Sequence, residues 1–500
     1  MRYSNDGLDY QNNRWATLEE FAAGLHRQKM EEKTVRSGVP LMVEQEDIYV
    51  DDTDSHTLIY GNTGSKKTRN FCIPTVYALA GAGESMVIAD PKGEIYRNTS
   101  GYLQKQEYHI QVINLRNMKY GCQWNPLTVP YQNYCQGNKD VGVGMVVDFC
   151  QLLAAGVHNE RDPFWELSAR ELLEALILIL FEIAKDQSEV NMSSVKQLRM
   201  QLRSMEYDNG EDGEAKAFWD FLESFPPGSL ISFKLANAIS LKKVDRTFNC
   251  VLSTLDGMLN QFIIQQELID MMWYSDVDFK QIGMEKTAVY LLVPDEKRSF
   301  HFLVSVFVKQ CYEQMITLAQ WQSNLQLPKR VNFILDEFSN FPRISDMPSM
   351  ISAARSRNIR FMLVVQSKQQ LFAQYKHEAD TIRSNCRNWI YLASREIELL
   401  EEMERICGYV SPEGEGKFPL ISVTGLQRLK IGRVDSQALV LCPQIAPFIS
   451  WVKDFEVYPQ AAYDAVPLKR RKQRVGKVID VAECFIRMLE EEEGQGQKEA

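Results

Sequence analysis

The sequence predicts an α/β protein, a mostly parallel sheet flanked by helices and interrupted by an all-α insertion. Three observations carry this. A short apolar run at 56–60 enters a glycine-bearing loop, an apolar-periodic helix follows, and a second apolar run at 85–90 completes a β-α-β unit. From about 150 to 245 helical periodicity takes over and strand signals lapse. Apolar runs at 288–293, 331–335 and 361–365 then alternate with helical stretches, so the sheet resumes.

In chain order, residues 1–55 read as polar and irregular, with an amphipathic piece at 18–25. The helix after the loop carries Phe71, Ile73, Val76, Tyr77 and Leu79. Pro74 lies inside it and should kink or shorten it. A strand is expected at 108–114. Long helices are expected at 164–184, 193–205 and 215–225, with a polar loop at 207–213. Helices at 302–319 and 347–355 separate the later strands, and two more strands are expected at 389–392 and 437–441. The end of the chain reads as a basic run, a helix and an acidic tail at 490–493.

The loop is Gly61, Asn62, Thr63, Gly64, Ser65, Lys66, Lys67 and Thr68. Its spacing is that of a phosphate-binding loop, G-x-x-x-x-G-K-[ST], set between a strand and a helix. Backbone N–H groups and the helix N-terminus would face phosphates. Lys67 would reach the β- and γ-phosphates and Thr68 would hold Mg²⁺. The residue before Lys67 should be glycine and is Lys66. A left-handed backbone there costs a non-glycine residue about 1–2 kcal/mol. The Lys66 side chain could point outward or add a second cation near the γ-phosphate. A loop that binds nothing is the opposing reading.

The strand at 331–335 ends in Asp336 and Glu337, at the strand end where parallel sheets bind ligands. Asp336 is expected to anchor the metal and Glu337 to polarise the attacking water. One strand later, Gln366 is placed to sense the γ-phosphate, or simply to cap the strand. Arg355 and Arg357 precede that strand. Either is a candidate arginine finger for a neighbouring subunit, or a cation at a helix end.

Composition sets the outer bounds. The 500 residues carry a formal net charge of −10, which excludes a simple basic nucleic-acid coat but leaves room for a local basic channel. Basic segments at 97–105, 376–387 and 469–474 are candidates for such a channel, and solvated faces otherwise. Ten scattered cysteines without a C-x-x-C pair argue for a reducing compartment and against a zinc ribbon. The greasiest stretch, 172–184, is interrupted by Glu174 and Glu182 and is too short for a bilayer, so no transmembrane segment is expected. Core packing is expected for Phe164 and Trp165, with cargo recognition as the alternative.

Five segments in order resemble the conjugative coupling proteins of type IV secretion, the TraG/TraD-like family. They are the loop at 61–68, then Asp90-Pro91-Lys92-Gly93-Glu94, then Trp124-Asn125-Pro126-Leu127, the run 333–338, and Val364-Val365-Gln366-Ser367. The resemblance runs from about Arg14 to about Pro459. It implies a RecA-like P-loop NTPase motor domain with an all-α domain inserted. The organisation expected is a polar segment 1–55, a motor domain in two parts, 56–149 and 246–465, an all-α insertion 150–245, and a basic run, helix and acidic tail over 466–500. The resemblance also implies ATP with Mg²⁺, and a homo-oligomeric ring, a hexamer, with nucleotide at the subunit interface. Arg355 matches the finger position better than Arg357. The implied partners are DNA, single-stranded and carried with relaxase, and components of the type IV secretion channel. The N-terminal membrane helices usual in the family are not expected within this sequence. A cytoplasmic location is therefore expected, peripheral to the inner face of the cell membrane through partners.

The expected function is an ATP-dependent coupling protein that recruits or translocates DNA to a secretion channel. The alternative is a weakly hydrolysing or non-hydrolysing adaptor that recruits cargo through the all-α domain, which Lys66 would favour. A motor serving another mobile-element or defence task is a third reading.

Overall fold

The computed structural model describes residues 13–484 except 156–162, 203–212, 412–415, 444, 473 and 482. The acidic tail at 490–493 and most of the polar loop at 207–213 lie outside the described residues. The strands are β1 (His26–Lys29), β2 (Pro40–Glu44), β3 (Asp47–Val50), β4 (His56–Tyr60), β5 (Ser85–Asp90), β6 (His109–Asn114), β7 (Thr287–Leu292), β8 (Val331–Leu335), β9 (Ile359–Val365), β10 (Cys386–Tyr391), β11 (Tyr409–Val410), β12 (Phe418–Pro419), β13 (Asp435–Cys442) and β14 (Ile445–Lys453).

Nine of them form one sheet in the order β14-β13-β10-β4-β9-β8-β5-β7-β6. The strands from β10 through β4, β9, β8 and β5 to β7 run parallel, and β13 and β14 add an antiparallel edge. Strands β4, β5, β7, β8 and β9 are buried along their whole length, as expected of a sheet covered on both faces. This is the RecA-like α/β motor architecture, with β4 entering the glycine-bearing loop and β8 and β9 on one flank of it. On the other flank stand β10 and β13.

The described residues form two compact units. One runs up to Val112 and adds Asp278–Val304 and Cys311–Leu468. The other comprises Ile113–Val277, Ser305–Gln310 and the chain from Lys469 on. The second unit is mainly helical and extends beyond the 150–245 span expected from periodicity. Its central helix, Phe164–Ile183, buries apolar residues on most sides, because the neighbouring helices leave it little solvent face. Glu174 is buried within it and is held by Lys234 at 2.5 Å and Arg170 at 3.4 Å. The Trp-Asn-Pro motif is structural in this unit. Trp124 is buried, and Asn125 donates to the Val190 carbonyl at 2.7 Å and accepts from the Leu127 N–H at 2.9 Å.

One other expectation needs correction. The described residues 13–55 are not irregular: β1, β3 and β2 form an antiparallel sheet, while the amphipathic piece is the helix Leu18–Gly24, closed by a Thr17–Glu20 capping box. The strands of that sheet are short and carry charges on their exposed faces, which hides the alternation. At Pro74 the α-helix is shortened, as expected: a π-helical turn, Thr68–Cys72, precedes the α-helix Ile73–Gly81, so proline falls in the first α-helical turn. Among the described residues, no helix is long and apolar enough to cross a membrane.

Candidate nucleotide site

The loop leaves β4 at the carboxyl end of the sheet. Gly61 has to be glycine, because a Cβ there would lie 2.5 Å from Ser65 Oγ and 3.3 Å from Lys67 Cγ. Gly64 has φ +83° and open space where a Cβ would be. Lys67 is buried, and its ammonium donates to the carbonyls of Gly61 at 2.5 Å and Asn62 at 3.1 Å. Burial lowers its pKa, while Glu337 and Asp336 oppose that shift. Ser65 Oγ is buried and has no hydrogen-bond partner. An ammonium held only by loop carbonyls and an unpartnered hydroxyl in the same loop suit an anion with several oxygens.

The metal side is equally well assembled. Thr68 Oγ1 donates to Asp336 Oδ2 at 2.7 Å, and Gln366 Nε2 donates to Glu337 Oε2 at 2.7 Å. Burial raises the Asp336 carboxyl to about 6, with the Glu337 charge adding to the effect. Glu337 sits at φ +55°, an uncommon conformation that turns its carboxylate across the end of β9. A hydroxyl and a carboxylate at bonding distance are the oxygen donors that Mg²⁺ takes beside phosphates. Thus Lys67, Thr68, Asp336, Glu337 and Gln366 converge on one site although they come from three strand ends.

Lys66 is the departure from the loop pattern, and its side chain leaves the cup. It adopts φ +66°, and Nζ donates to Asp454 Oδ2 at 3.0 Å and to the Arg433 carbonyl at 2.7 Å.

The model of the family described as type IV secretory system conjugative DNA transfer matches residues 14–416. The chain belongs to that family. Within and around it, the conjugal transfer protein TraG of Escherichia coli is 24% identical over 366 residues, which are 71% of this chain and 55% of TraG. A protein of Bacillus anthracis is 28% identical over 123 residues, 25% of this chain and 43% of that protein. The chain thus spans about half the length of the curated relatives it matches. The fold is similar to that of the bacterial conjugative coupling protein TrwBdeltaN70 in its unbound form, with a TM-score of 0.59 at 14% identity, covering 94% of this chain and 96% of that one. TrwB in complex with the ATP analogue ADPNP is similar at a TM-score of 0.59 and 15% identity, covering 93% and 97%.

In this family member Arg355 does not join the site. It is exposed at the end of the helical stretch before β9, and its charge is felt by His56 at the start of β4. The loop begins at the far end of β4, roughly 15 Å or more along a strand of this length. Arg355 therefore cannot serve the nucleotide site of its own chain.

Asp454 carried no signal in the sequence, and Asp90 and Lys92 stood out only as part of the segment Asp90-Pro91-Lys92-Gly93-Glu94, with no role at the site assigned to them. Asp454 is buried and takes Lys66 and, through a paired interaction at 2.7 and 2.8 Å, Arg69. Burial pushes the Asp454 carboxyl up, but the hydrogen bonds from Arg69 and Lys66 prevail and hold it below its ordinary value. Asp90 closes β5, accepts from the N–H groups of Glu94 and Tyr96 at 3.1 and 2.8 Å, and is raised by burial to about 7. Lys92, in the same turn, is exposed and adds positive charge felt by both Lys67 and Asp336.

The basic segments are partly committed elsewhere. Arg383 is buried and bonded to Tyr60 Oη at 2.8 Å and Glu402 at 2.7 Å, which removes it from any DNA-facing role. Arg474 is tied to Gln123 and Asp276 within the helical unit. Arg97 and Lys105 remain exposed. Phe164, expected in the core, is 40% exposed and meets Trp165 edge-on at 5.0 Å at the start of its helix.

Proposed function

We propose that this chain binds ATP with Mg²⁺ at the loop 61–68 and hydrolyses it to drive conjugative DNA transfer. The observation that carries the reading is the pair of 2.7 Å hydrogen bonds, Thr68 to Asp336 and Gln366 to Glu337, which set metal donors and a water-activating carboxylate beside the loop lysine. TrwB, similar in fold, has been solved with ADPNP and with ADP and Mg²⁺, which supports the choice of ligand.

Thr68 Oγ1 and Asp336 would hold Mg²⁺, which supplies charge neutralisation for phosphoryl transfer. Lys67 exchanges its loop carbonyls for phosphate oxygens and stabilises charge that builds on the transferred group. Glu337 accepts a proton from the attacking water. Gln366 holds the Glu337 carboxylate in register, and it registers the change of charge on that carboxylate at the end of β9.

The finer parts of the reading are a homo-hexameric ring, single-stranded DNA delivered with relaxase, and docking to secretion-channel components at the inner membrane face. Arg355, too far from its own chain's loop, is proposed to complete the site of the neighbouring subunit. Lys66 was one ground for the adaptor reading, and its side chain runs away from the cup to Asp454 and the Arg433 carbonyl. The deciding experiment is ATP turnover of the purified chain with and without single-stranded DNA. DNA-stimulated turnover that vanishes in Glu337→Gln is expected. Absence of turnover, with or without nucleotide binding, would favour the adaptor, and no nucleotide binding would end the motor reading.

A further inference from the structure

Strand order gives the nucleotide site two distinct flanks. Asp336, Glu337 and Gln366 lie at the ends of β8 and β9, on one side of β4. On the other side, towards β10 and β13, an open cleft of about 650 Å³ adjoins the loop. The loop residues Asn62 to Ser65 form one wall, and Ser394 and Arg395, just beyond β10, form another. Gln427 and Ile431 form the third. A triphosphate whose terminal phosphate faces the acids has its nucleoside end directed to this opposite flank. The cleft volume is that of a small-molecule site, and it offers the apolar side chains of Ala393 and Ile431 with the amide of Gln427 and the guanidinium of Arg395.

The wall formed by Gln427 and Ile431 has little regular structure of its own. It follows the helix Val423–Gln427 and turns into β13 through bonds from Gln437 N–H to the Lys430 carbonyl, 2.7 Å, and from Gly432 N–H to the Asp435 carbonyl, 2.9 Å. The Lys66 ammonium bonds the carbonyl of Arg433 in this turn, and Asp454, at the end of β14, anchors that ammonium. Asp454 N–H also donates to the Val434 carbonyl at 2.8 Å. The loop residue that departs from the glycine pattern is thus bonded to the far wall of the cleft.

We infer that Lys66 and Asp454 are positioning residues which hold the 427–433 turn against the phosphate loop, so that the cleft between them takes the nucleoside part of a nucleoside triphosphate. A glycine at position 66 would leave the loop intact and the turn untethered. The lysine accepts an unfavourable backbone region in exchange for a strut between two walls of one cleft. This inference rests on the nucleotide reading of the loop.

The test compares ATP with inorganic tripolyphosphate, which has the phosphates and no nucleoside, by calorimetric titration in Mg²⁺. Asp454→Ala is expected to weaken ATP binding about tenfold, the scale of one charge-assisted hydrogen bond, and to change tripolyphosphate binding much less. In a Lys66→Gly background, Asp454→Ala should no longer alter the ratio of the two affinities. Because Asp454 also holds Arg69, Lys66→Met provides the same comparison if Asp454→Ala does not fold. Equal losses for both ligands, or an unchanged ratio, overturn the inference while leaving the nucleotide reading standing. Failure of the wild-type chain to bind either ligand overturns both.

Discussion

Glu337 accepts a 2.7 Å hydrogen bond from Gln366 across the ends of two adjacent parallel strands, and it does so from a left-handed backbone at φ +55°. The strain turns the carboxylate off the axis of β8 and towards the amide that follows β9.

That relationship separates binding from turnover. Glu337→Gln removes the proton acceptor and preserves side-chain volume, so hydrolysis should fall at least about 100-fold while ATP affinity changes little. Steady-state phosphate release alongside equilibrium titration checks both halves. Gln366→Ala should lower turnover less, because it releases the carboxylate without removing it.

Lys67→Ala should act on binding itself. Its ammonium is the buried cation of the loop, and its removal should weaken ATP by about tenfold or more, read in the same titration. Asp336→Asn should remove the Mg²⁺ dependence of ATP binding and leave metal-free binding nearly unchanged.

The position of Arg355 gives a prediction in trans. If the proposed ring forms, Glu337→Gln subunits alone and Arg355→Ala subunits alone should both be inactive. Mixed assemblies should regain activity, because some interfaces pair an intact carboxylate with a neighbour's intact arginine. Turnover that stays at the sum of the separate variants would show that Arg355 has no such role.

His56 supplies a pH dependence away from the site. Its Nε2 faces the Ile351 carbonyl at 2.8 Å and its Nδ1 accepts from the Phe361 N–H at 2.9 Å, so the neutral ring is satisfied on both sides. Burial lowers its pKa from 6.5 to about 4, with Arg355 and Arg360 adding to the shift. The unfolded chain therefore binds a proton that the folded chain refuses between those values. The stability this contributes is complete above pH 6.5 and is lost as pH falls towards 4, up to roughly 3 kcal/mol. Asp336 and Asp90, raised by burial, change stability in the opposite sense, so the test is the difference between wild type and His56→Gln in denaturant melts at pH 7.5 and 5. That difference should shrink at the lower pH.

Glu84 anchors a buried network at the amino-terminal end of the sheet. It takes Arg360 at 2.7 Å, Asn332 at 2.9 Å and Arg330 at 3.4 Å, and both arginines are buried. Glu84→Ala leaves two buried cations without their shared anion and should destabilise the unit by about 3–5 kcal/mol, measured by chemical denaturation.

Spacing made the loop legible, and with it the acids at the end of the strand 331–335; for Gln366 strand position left a cap as a near-equal alternative, and the family resemblance singled it out. A strand, a tight glycine turn and a helix N-terminus form one local geometry, and residues within it are related by chain distance. The acids were readable because apolar strands of a parallel sheet end on one edge, so three separate strand ends had to meet. The early β1–β3 sheet was not legible, because its short strands alternate weakly and are specified by pairing with one another. Lys66 was read correctly as a departure, but its destination was not in the sequence. Asp454 lies 388 residues away, and only the packing of β13 and β14 beside β10 brings it near. Local backbone geometry is set by neighbours in the chain, whereas the partner of a long charged side chain is set by whichever distant element the fold carries past it. For this protein, the residues of the loop 61–68 belong to the first case, and the contact of Lys66 with Asp454 belongs to the second.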